Sequence, residues 1–310
     1  MEPVADASTS PPPPRRGAGL KHVGRHAVAR LGGALNALLG SRAGGAFGIL
    51  TYHRVTPRPD GAPAPTWNVT PRRFREQLGG LLARGYVAYP LRRALAGPLP
   101  RGAFVVTFDD GYENVHRHAW PVLRDLGVPA TVFLATAYLD APSTFPSDDW
   151  PAAGSPDVPA ESWRPLTTAQ CLELRDGGLI DLGSHTHTHA VFTGRPALLA
   201  EDVRRSAEVL RERFGLSDAT FSFPFGIFGP DLIAAARRPG LLCGLTTRAA
   251  LVEPGSDPFT WGRFNVEEED TPATLAAKLD GWYEWLLAPV RRLSGRRAPF
   301  AGPVTAGATP

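Results

Sequence analysis

Two short motifs of this 310-residue chain combine carboxylate and imidazole side chains. The first is Asp109-Asp110-Gly111, and the second is the run His185-Thr186-His187-Thr188-His189. One carboxylate with two imidazoles is a ligand set typical of a divalent metal that keeps coordination positions open for water and substrate. If the chain turns within the second motif, His185 and His189 can bind one ion, and Asp110 completes the set.

Asp109 is then adjacent to the metal ligands but free for proton transfer. A metal lowers the pKa of its bound water toward neutrality, and a neighbouring base completes the deprotonation. We therefore expect Asp109 to be the base. Taken singly, each motif has a simpler interpretation, because Asp-Asp-Gly is a common turn and alternating His and Thr can form a solvated loop. The occurrence of both motifs after predicted strands favours a metal site.

The predicted strands alternate with amphipathic helices along the chain. Apolar, β-prone segments occur at 46–53, 104–108, 130–134, 179–182, 219–223 and 241–247. Helices are predicted after the Thr70 N-cap, up to Gly215, and over about 272–293. This alternation predicts a parallel α/β sheet, either doubly wound or closed as a barrel. In such folds the chemistry lies at the carboxyl ends of the strands.

Composition and charge argue against several other functions. Cys171 and Cys243 are too few for a disulfide framework or a Cys-x-x-Cys site. The net charge is +3 and the arginines are scattered, which argues against nucleic-acid binding. We find no apolar run of the ~18–20 residues that a membrane span needs, and the acidic start does not resemble a secretory signal. These features predict a cytoplasmic or peripheral membrane protein.

The predicted organisation has four parts. Residues 1–18 are rich in proline, serine and alanine and 294–310 are similar, so we expect disordered tails. An N-terminal helix is predicted over 19–45, followed by one catalytic domain over 46–293. The weakly amphipathic, basic stretch 20–40 could contact a membrane surface or pack against the domain. None of these features predicts the oligomeric state.

A third motif, Ser222-Phe223-Pro224-Phe225-Gly226, ends the predicted strand at 219–223. Together with Thr107-Phe108-Asp109-Asp110-Gly111 and the His-Thr-x-x-His element of the histidine run, it resembles the signature sequences of the polysaccharide deacetylases. These enzymes are metal-dependent carbohydrate esterases that act on N-acetylated glycans such as chitin and peptidoglycan. The resemblance covers about residues 46–265 and includes the sequence Tyr52-His53-Arg54-Val55.

The resemblance implies a distorted (β/α)7 barrel and removal of N-linked acetyl groups from hexosamine units of a polysaccharide or glycolipid. It implies one divalent metal, with Zn expected and Co or Ni as alternatives, bound by Asp110, His185 and His189. Asp109 would be the general base, and the backbone N–H of Phe225 would stabilise the oxyanion. A carbohydrate-binding pseudoenzyme and a hydrolase of non-sugar amides on the same fold are the alternatives.

Two positions depart from the family pattern. Ser222 stands where the family has an arginine that orients the base, and we expect Arg263 to supply the basic group instead. The family also has a late histidine that protonates the leaving amine, whereas none of the eight histidines here lies beyond His189. We expect His53, at the end of the first predicted strand, to be the general acid. The alternatives are a buried structural role for His53 and return of the proton by Asp109.

The segment 140–164 is an insertion that contains proline and tryptophan. Trp150 and Trp163 could form a wall of a glycan groove, since aromatic rings stack on sugar faces. A purely structural role for these tryptophans is the alternative.

Overall fold

The computed structural model describes residues 18–237 and 240–293. The predicted tails lie outside these residues, apart from Ala18. The helices are α1 (Ala18–Leu39), α2 (Pro71–Leu82), α3 (Leu91–Leu95), α4 (Trp120–Leu126), α5 (Thr168–Asp176), α6 (Pro196–Phe214), α7 (Pro230–Ala236), α8 (Pro272–Leu279) and α9 (Trp282–Leu293). The strands are β1 (Gly48–Tyr52), β2 (Arg54–Val55), β3 (Asn68–Val69), β4 (Val87–Ala88), β5 (Ala103–Phe108), β6 (Ala130–Leu134), β7 (Ile180–Ser184) and β8 (Phe264–Asn265). None of the described helices is both long and apolar enough to cross a membrane.

The main sheet is parallel and has the strand order β7-β6-β5-β1-β8, with β4 also paired to β5. Single parallel bridges attach the segments 219–222 and 241–245 beyond β7. Backbone hydrogen bonds between 246–248 and 261–263 then lead on to β8. The hydrogen-bonded circuit therefore closes as a distorted α/β barrel, which confirms the predicted fold class.

The prediction of full strands at 219–223 and 241–247 is wrong, because these segments make only isolated bridges. Pro224 has no N–H with which to extend a ladder, and it begins a tight 3-10 turn. Gly244 donates its N–H to the Pro258 carbonyl (3.1 Å). The barrel is therefore irregular on this side.

Local sequence signals set the ends of several helices. Thr70 caps α2 by accepting a hydrogen bond from the Arg73 N–H through its side chain. Gly215 ends α6 in the left-handed conformation, with a φ of 69°. The helix predicted over 272–293 is instead two helices, because Gly281 between α8 and α9 has a φ of 81°. Apolar periodicity alone did not reveal this break.

The strands β1, β5 and β6 are buried along their whole length, as expected for parallel strands covered by helices. Full burial of a large apolar side chain contributes about 1.5–3 kcal/mol. In the register of β1 and β5, Tyr52 lies beside Phe108, and their ring centroids are 5.6 Å apart. The next residues, His53 and Asp109, therefore leave the sheet at the same edge.

The helix α1 packs against α8 and α9. The indole nitrogen of Trp282 donates to the Gly40 carbonyl (2.8 Å), and the Asn36 amide donates to Asp280 (2.5 Å). One face of the predicted 20–40 stretch thus packs against the rest of the molecule. The membrane contact predicted for this stretch is not tested by this packing.

Candidate metal and catalytic site

The predicted site residues lie at one edge of the barrel. Asp109 and Asp110 directly follow β5, and His185 directly follows β7. His53 directly follows β1. The N–H of His185 donates to the carbonyl of Leu134 at the end of β6 (2.9 Å), which fixes the histidine loop to the sheet. This placement is the one expected for an active site in a parallel barrel.

Asp110, His185 and His189 form a cluster that could hold a metal ion. The Oδ1 atom of Asp110 lies 3.5 Å from Nε2 of His185 and 3.3 Å from Nε2 of His189. Two ligands of a tetrahedral Zn²⁺ with bonds of about 2.1 Å lie about 3.4 Å apart, so this spacing fits one ion. The donor set also suits a divalent metal chemically.

Hydrogen bonds on the opposite ring nitrogens orient both imidazoles of the cluster. Nδ1 of His185 donates to the Ser222 carbonyl (2.9 Å), and Nδ1 of His189 is hydrogen-bonded to the Ser147 hydroxyl (3.0 Å). A histidine that carries its proton on Nδ1 presents a neutral Nε2 as a ligand, and contacts of this kind fix the ring orientation. Both Nε2 atoms are therefore available to a shared ion beside Asp110.

The charges of the cluster favour a cation. Burial raises the pKa of Asp110, but hydrogen bonds with His185 and His189 outweigh burial and hold this pKa well below its usual value. Burial lowers the pKa of His185, yet the carboxylates of Asp109 and Asp110 raise it above its ordinary value. The carboxylates thus attract positive charge to this place.

The backbone of the cluster adopts a conformation that residues other than glycine rarely occupy. Asp110, Thr186 and His189 have φ angles of 69°, 67° and 53°, and such strain costs about 1–3 kcal/mol for each residue. Asp202 of α6 supports the histidine loop by accepting hydrogen bonds from the N–H (3.0 Å) and the hydroxyl (2.6 Å) of Thr188. The loop is therefore held in a strained shape that brings its first and last imidazoles together.

Asp109 lies outside the cluster and forms an ion pair with Arg263. The two terminal nitrogens of Arg263 donate to the two carboxylate oxygens at 2.7 Å each, and both side chains are buried. Burial raises the pKa of Asp109, but Arg263 and His185 lower it below its usual value. The Oδ2 atom of Asp109 is 4.0 Å from Nε2 of His185. An ionised carboxylate thus stands beside the metal cluster.

Arg263 is anchored by three further hydrogen bonds. Its Nε donates to the Thr246 carbonyl (3.1 Å), and its terminal nitrogens donate to the hydroxyl groups of Thr107 (3.2 Å) and Ser222 (2.6 Å). The structure therefore brings together Arg263, Asp109 and the serine that stands in place of the family's arginine. The catalytic role of Arg263 stays a prediction.

Phe225 lies in the tight turn next to the cluster. Its φ is 55°, and its ring centroid is 4.5 Å from that of His189. The hydrogen bonds of this turn are donated by Gly226 and Ile227, so the Phe225 N–H is not used in it. Gly226 is required here, because a Cβ at this position would lie 1.7 Å from Oγ1 of Thr247.

His53 is partly exposed at the same edge. Burial lowers its pKa, the carboxylates of Asp110 and Asp109 raise it, and the result is a pKa below the ordinary histidine value. The His53 ring lies 5.6 Å from the ring of Trp67 between centroids, with 32° between the planes. Whether His53 has a catalytic or a structural role stays a prediction.

The insertion 140–164 joins the site through an ion pair at its centre. Arg54 is buried, contacts Asp148 and lies 4.0 Å above the ring of Tyr112. Asp148 follows Ser147, the residue that contacts His189. The Arg54–Asp148 pair therefore fixes the part of the insertion that orients one of the candidate metal ligands.

Trp150 of the insertion is buried inside the protein. It is 2% exposed, and its indole nitrogen donates to the Pro63 carbonyl (2.9 Å). A buried ring cannot stack on a sugar, so Trp150 is not the groove wall considered from the sequence. Trp163 is partly exposed.

Sequence reasoning assigned no role to Arg54, Ser147, Asp148 or Asp202. Their partners are distant in the chain; Arg54 and Asp148, for example, are 94 positions apart. The available signals were the position of Arg54 directly after His53 and the short polar run around Asp148, and neither specifies a partner. These contacts depend on how the insertion and α6 pack.

Comparisons with known proteins agree with this geometry. A model of the polysaccharide deacetylase family matches residues 96–243, which include both the Asp-Asp-Gly motif and the histidine run. The chain is similar to the poly-beta-1,6-N-acetyl-D-glucosamine N-deacetylase of Staphylococcus epidermidis, with 26% identity over 231 residues, 70% of this chain and 74% of the relative. It is also similar to the protein of the same name from Staphylococcus aureus, with 22% identity over 234 residues and the same two coverages of 70% and 74%.

Solved structures share the fold. IcaB from Ammonifex degensii matches with a TM-score of 0.62 and 28% identity, covering 75% of this chain and 97% of that protein. The deacetylase PplD of Streptococcus pyogenes matches with a TM-score of 0.63 and 19% identity, covering 76% and 98%. The two motifs, the barrel that positions them and these similarities point in one direction. Over residues 96–243 the chain is similar to the polysaccharide deacetylase family.

Proposed function

We propose that this protein is a metal-dependent N-deacetylase that removes acetyl groups from the N-acetylglucosamine units of a polysaccharide. The observation that carries the proposal is the arrangement of Asp110, His185 and His189 as one cluster, with Asp109 held beside it by Arg263. The relatives support the substrate class, because they are named as deacetylases of poly-β-1,6-N-acetyl-D-glucosamine. This polymer is therefore the first substrate to test.

Asp110, His185 and His189 are the proposed ligands, and Zn²⁺ is the proposed metal, with Co²⁺ or Ni²⁺ as alternatives. When bound, such a metal acidifies water and polarises a carbonyl group. The chain contributes a fixed ligand geometry, since Ser222 and Ser147 hold the two imidazoles through their Nδ1 atoms.

Asp109 is the proposed general base. Its lowered pKa keeps it ionised near neutral pH, and the two hydrogen bonds from Arg263 fix both of its oxygens. The carboxylate accepts a proton from the water that attacks the acetyl carbon. Arg263 acts through Asp109 and is therefore a positioning residue.

The backbone N–H of Phe225 is the proposed oxyanion donor. As water adds to the amide carbon, the carbonyl oxygen gains negative charge, and a fixed peptide dipole stabilises it. The ring of Phe225 packs beside His189, which holds this turn next to the cluster.

His53 is the proposed general acid. The tetrahedral intermediate breaks at its C–N bond, the nitrogen takes a proton from His53, and acetate and the free amine leave. The register of β1 and β5 places His53 at the same edge as Asp109. If His53 has no such role, Asp109 can return the proton that it accepted.

The stretch 20–40 is a proposed peripheral membrane contact. Within it, Leu31, Leu38 and Leu39 are 52%, 80% and 69% exposed, and Arg30 is exposed beside them. Co-sedimentation with anionic phospholipid vesicles tests this contact, and replacement of Leu38 and Leu39 by serine should reduce the bound fraction. If the variant binds the vesicles to the same extent as the parent protein, the proposed membrane contact is wrong.

Acetate release tests the proposed function. The protein loaded with Zn²⁺ should release acetate from oligomers of β-1,6-linked N-acetylglucosamine, and a chelator should stop the release until metal is restored. Chitin oligomers and an N-acetylated peptidoglycan fragment extend the screen to other linkages. If the metal-loaded protein releases no acetate from any of these glycans, the hydrolase assignment fails, and a carbohydrate-binding role becomes the better interpretation.

A further inference from the structure

One exposed aromatic side chain stands beside the candidate site. Trp67 is 54% exposed, and its ring lies 5.6 Å from the ring of His53 between centroids. Its φ is 52°, a conformation that bulky side chains rarely adopt. Strained conformations of this kind concentrate at functional sites and persist where the surrounding structure imposes them.

Hydrogen bonds of the neighbouring backbone fix the strained conformation of Trp67. The Trp67 carbonyl accepts from the Arg54 N–H (3.2 Å), and Arg54 pairs with Asn68 in the parallel register of β2 and β3. The Asn68 side chain also accepts from the Thr56 N–H (3.0 Å) and donates to its carbonyl (2.9 Å). The Trp67 ring is therefore presented on a rigid two-stranded element.

A second exposed tryptophan shows what an ordinary surface position looks like. Trp285 is 50% exposed, but it lies within the regular helix α9 and packs against Trp282 (5.6 Å between centroids) and Arg42. Single exposed apolar residues need no functional explanation. Trp67 differs in its strained backbone and in its contact with a candidate catalytic residue.

We propose that the ring of Trp67 is a binding platform for a sugar ring of the glycan, next to the unit that is deacetylated. One face of a pyranose ring carries axial C–H bonds and is apolar, whereas its hydroxyl groups point outward. An aromatic ring with one free face buries such a surface without demanding polar partners. The proposal rests on the proposed function and names the contact that would hold the polymer beside His53.

The kinetic consequence follows from where Trp67 acts. The platform binds a sugar ring that does not react, so it stabilises the ground state and the transition state alike. Loss of uniform binding raises KM and leaves kcat nearly unchanged. An aromatic contact of this kind corresponds to a rise in KM on the order of tenfold.

Three variants test the platform with β-1,6-linked N-acetylglucosamine oligomers and acetate release. Trp67→Ala should raise KM about tenfold with kcat within about twofold of the parent protein. Trp67→Phe should recover much of the affinity because it keeps an aromatic face. The matched control, Trp285→Ala, removes an equally exposed indole on α9 and should change neither constant.

A direct binding measurement separates the platform from an effect on catalysis. In the Asp109→Asn background, calorimetry with the same oligomers should give a weaker Kd after Trp67→Ala, while the melting temperature and metal content stay unchanged. A drop in kcat with unchanged KM and Kd would show that Trp67 acts only by packing on His53, and it would overturn the platform. Unchanged constants in an active Trp67→Ala enzyme would overturn it as well. Absence of acetate release from the parent protein would instead overturn the proposed function.

Discussion

The adjacent carboxylates Asp109 and Asp110 belong to two regions of the site with different partners. The metal half consists of Asp110 with two imidazoles at 3.5 and 3.3 Å. The base half consists of Asp109 with Arg263, whose terminal nitrogens both donate at 2.7 Å, and with the Ser222 hydroxyl. Asp110 keeps 17% of its side chain exposed, whereas Asp109 keeps 3%.

The difference shows that partners, rather than residue type, give each carboxylate its chemistry. The left-handed φ of 69° at Asp110 changes the direction of the chain after β5, so two successive carboxylates can reach different neighbours within one cleft. Arg263 contacts both oxygens of Asp109, whereas the contacts of Asp110 are with the two imidazoles. We therefore expect each half to be disrupted without the other.

Removal of an imidazole from the metal half should have the largest effect. We expect His185→Ala to lose stoichiometric metal and to fall to background turnover, because one carboxylate and one imidazole bind a divalent ion weakly. Metal analysis of the purified protein and acetate release are the measurements. His189→Ala should behave in the same way.

The middle histidine of the run supplies the matched control. His187 points away from the cluster, with its Nδ1 hydrogen-bonded to the Thr136 hydroxyl (3.0 Å). His187→Ala should therefore keep its metal. Full metal retention in both His185→Ala and His189→Ala would show that the metal half has been assigned to the wrong residues.

Neutralisation of the base should leave the metal half intact. Asp109→Asn keeps the shape of the side chain but cannot accept the proton, so turnover should fall on the order of 10²–10⁴-fold with metal still bound. Arg263 then lacks its charged partner, and loss of one partner of a buried pair costs about 3–5 kcal/mol of stability. Turnover of this variant should therefore be measured at a temperature well below its melting temperature. Loss of metal in Asp109→Asn would contradict the division into two halves.

The role of His53 determines whether Asp109 is the only side chain that transfers protons in the reaction. A general acid acts only while protonated, so activity should fall as pH rises through the His53 pKa. Burial is the largest influence that lowers this pKa, which places the alkaline fall at lower pH than for an ordinary histidine. His53→Gln should lose or move this fall and reduce turnover on the order of 10²-fold at unchanged metal content. An unaltered pH profile with near-normal turnover would leave Asp109 as the proton carrier.

The two halves also differ in how far the sequence predicts them. The proximity of the three residues of the metal half could be predicted, because the imidazoles are four positions apart in one loop and the carboxylate directly follows an apolar strand. Their binding of a metal stays a prediction. Arg263 could be predicted only as a replacement for the arginine missing at Ser222, since it is 154 positions from Asp109.

The supporting contacts were beyond prediction because they depend on tertiary packing. Ser147 reaches His189 only after the insertion has folded against Arg54, and Asp202 reaches the histidine loop from α6. The alternation of strands and helices was sufficient for the fold class. It did not reveal the irregular side of the barrel, where Pro224 and Gly244 replace ladder pairing with isolated bridges.

The smallest expected effect tests whether the base half depends on geometry or on charge alone. Arg263→Lys keeps a positive charge beside Asp109, so the carboxylate stays ionised, but one ammonium group cannot contact both oxygens and the Ser222 hydroxyl in a fixed plane. We expect kcat to fall about 10–100-fold with metal content unchanged, as for other residues that orient a catalytic group. Arg92→Lys is the matched control, because Arg92 contacts Asp181 (2.8 Å) and Asp218 away from the site. Arg92→Lys should keep the parent kcat. If Arg263→Lys also keeps the parent kcat, a positive charge near Asp109 is sufficient, and the two-point contact of Arg263 does not orient the base.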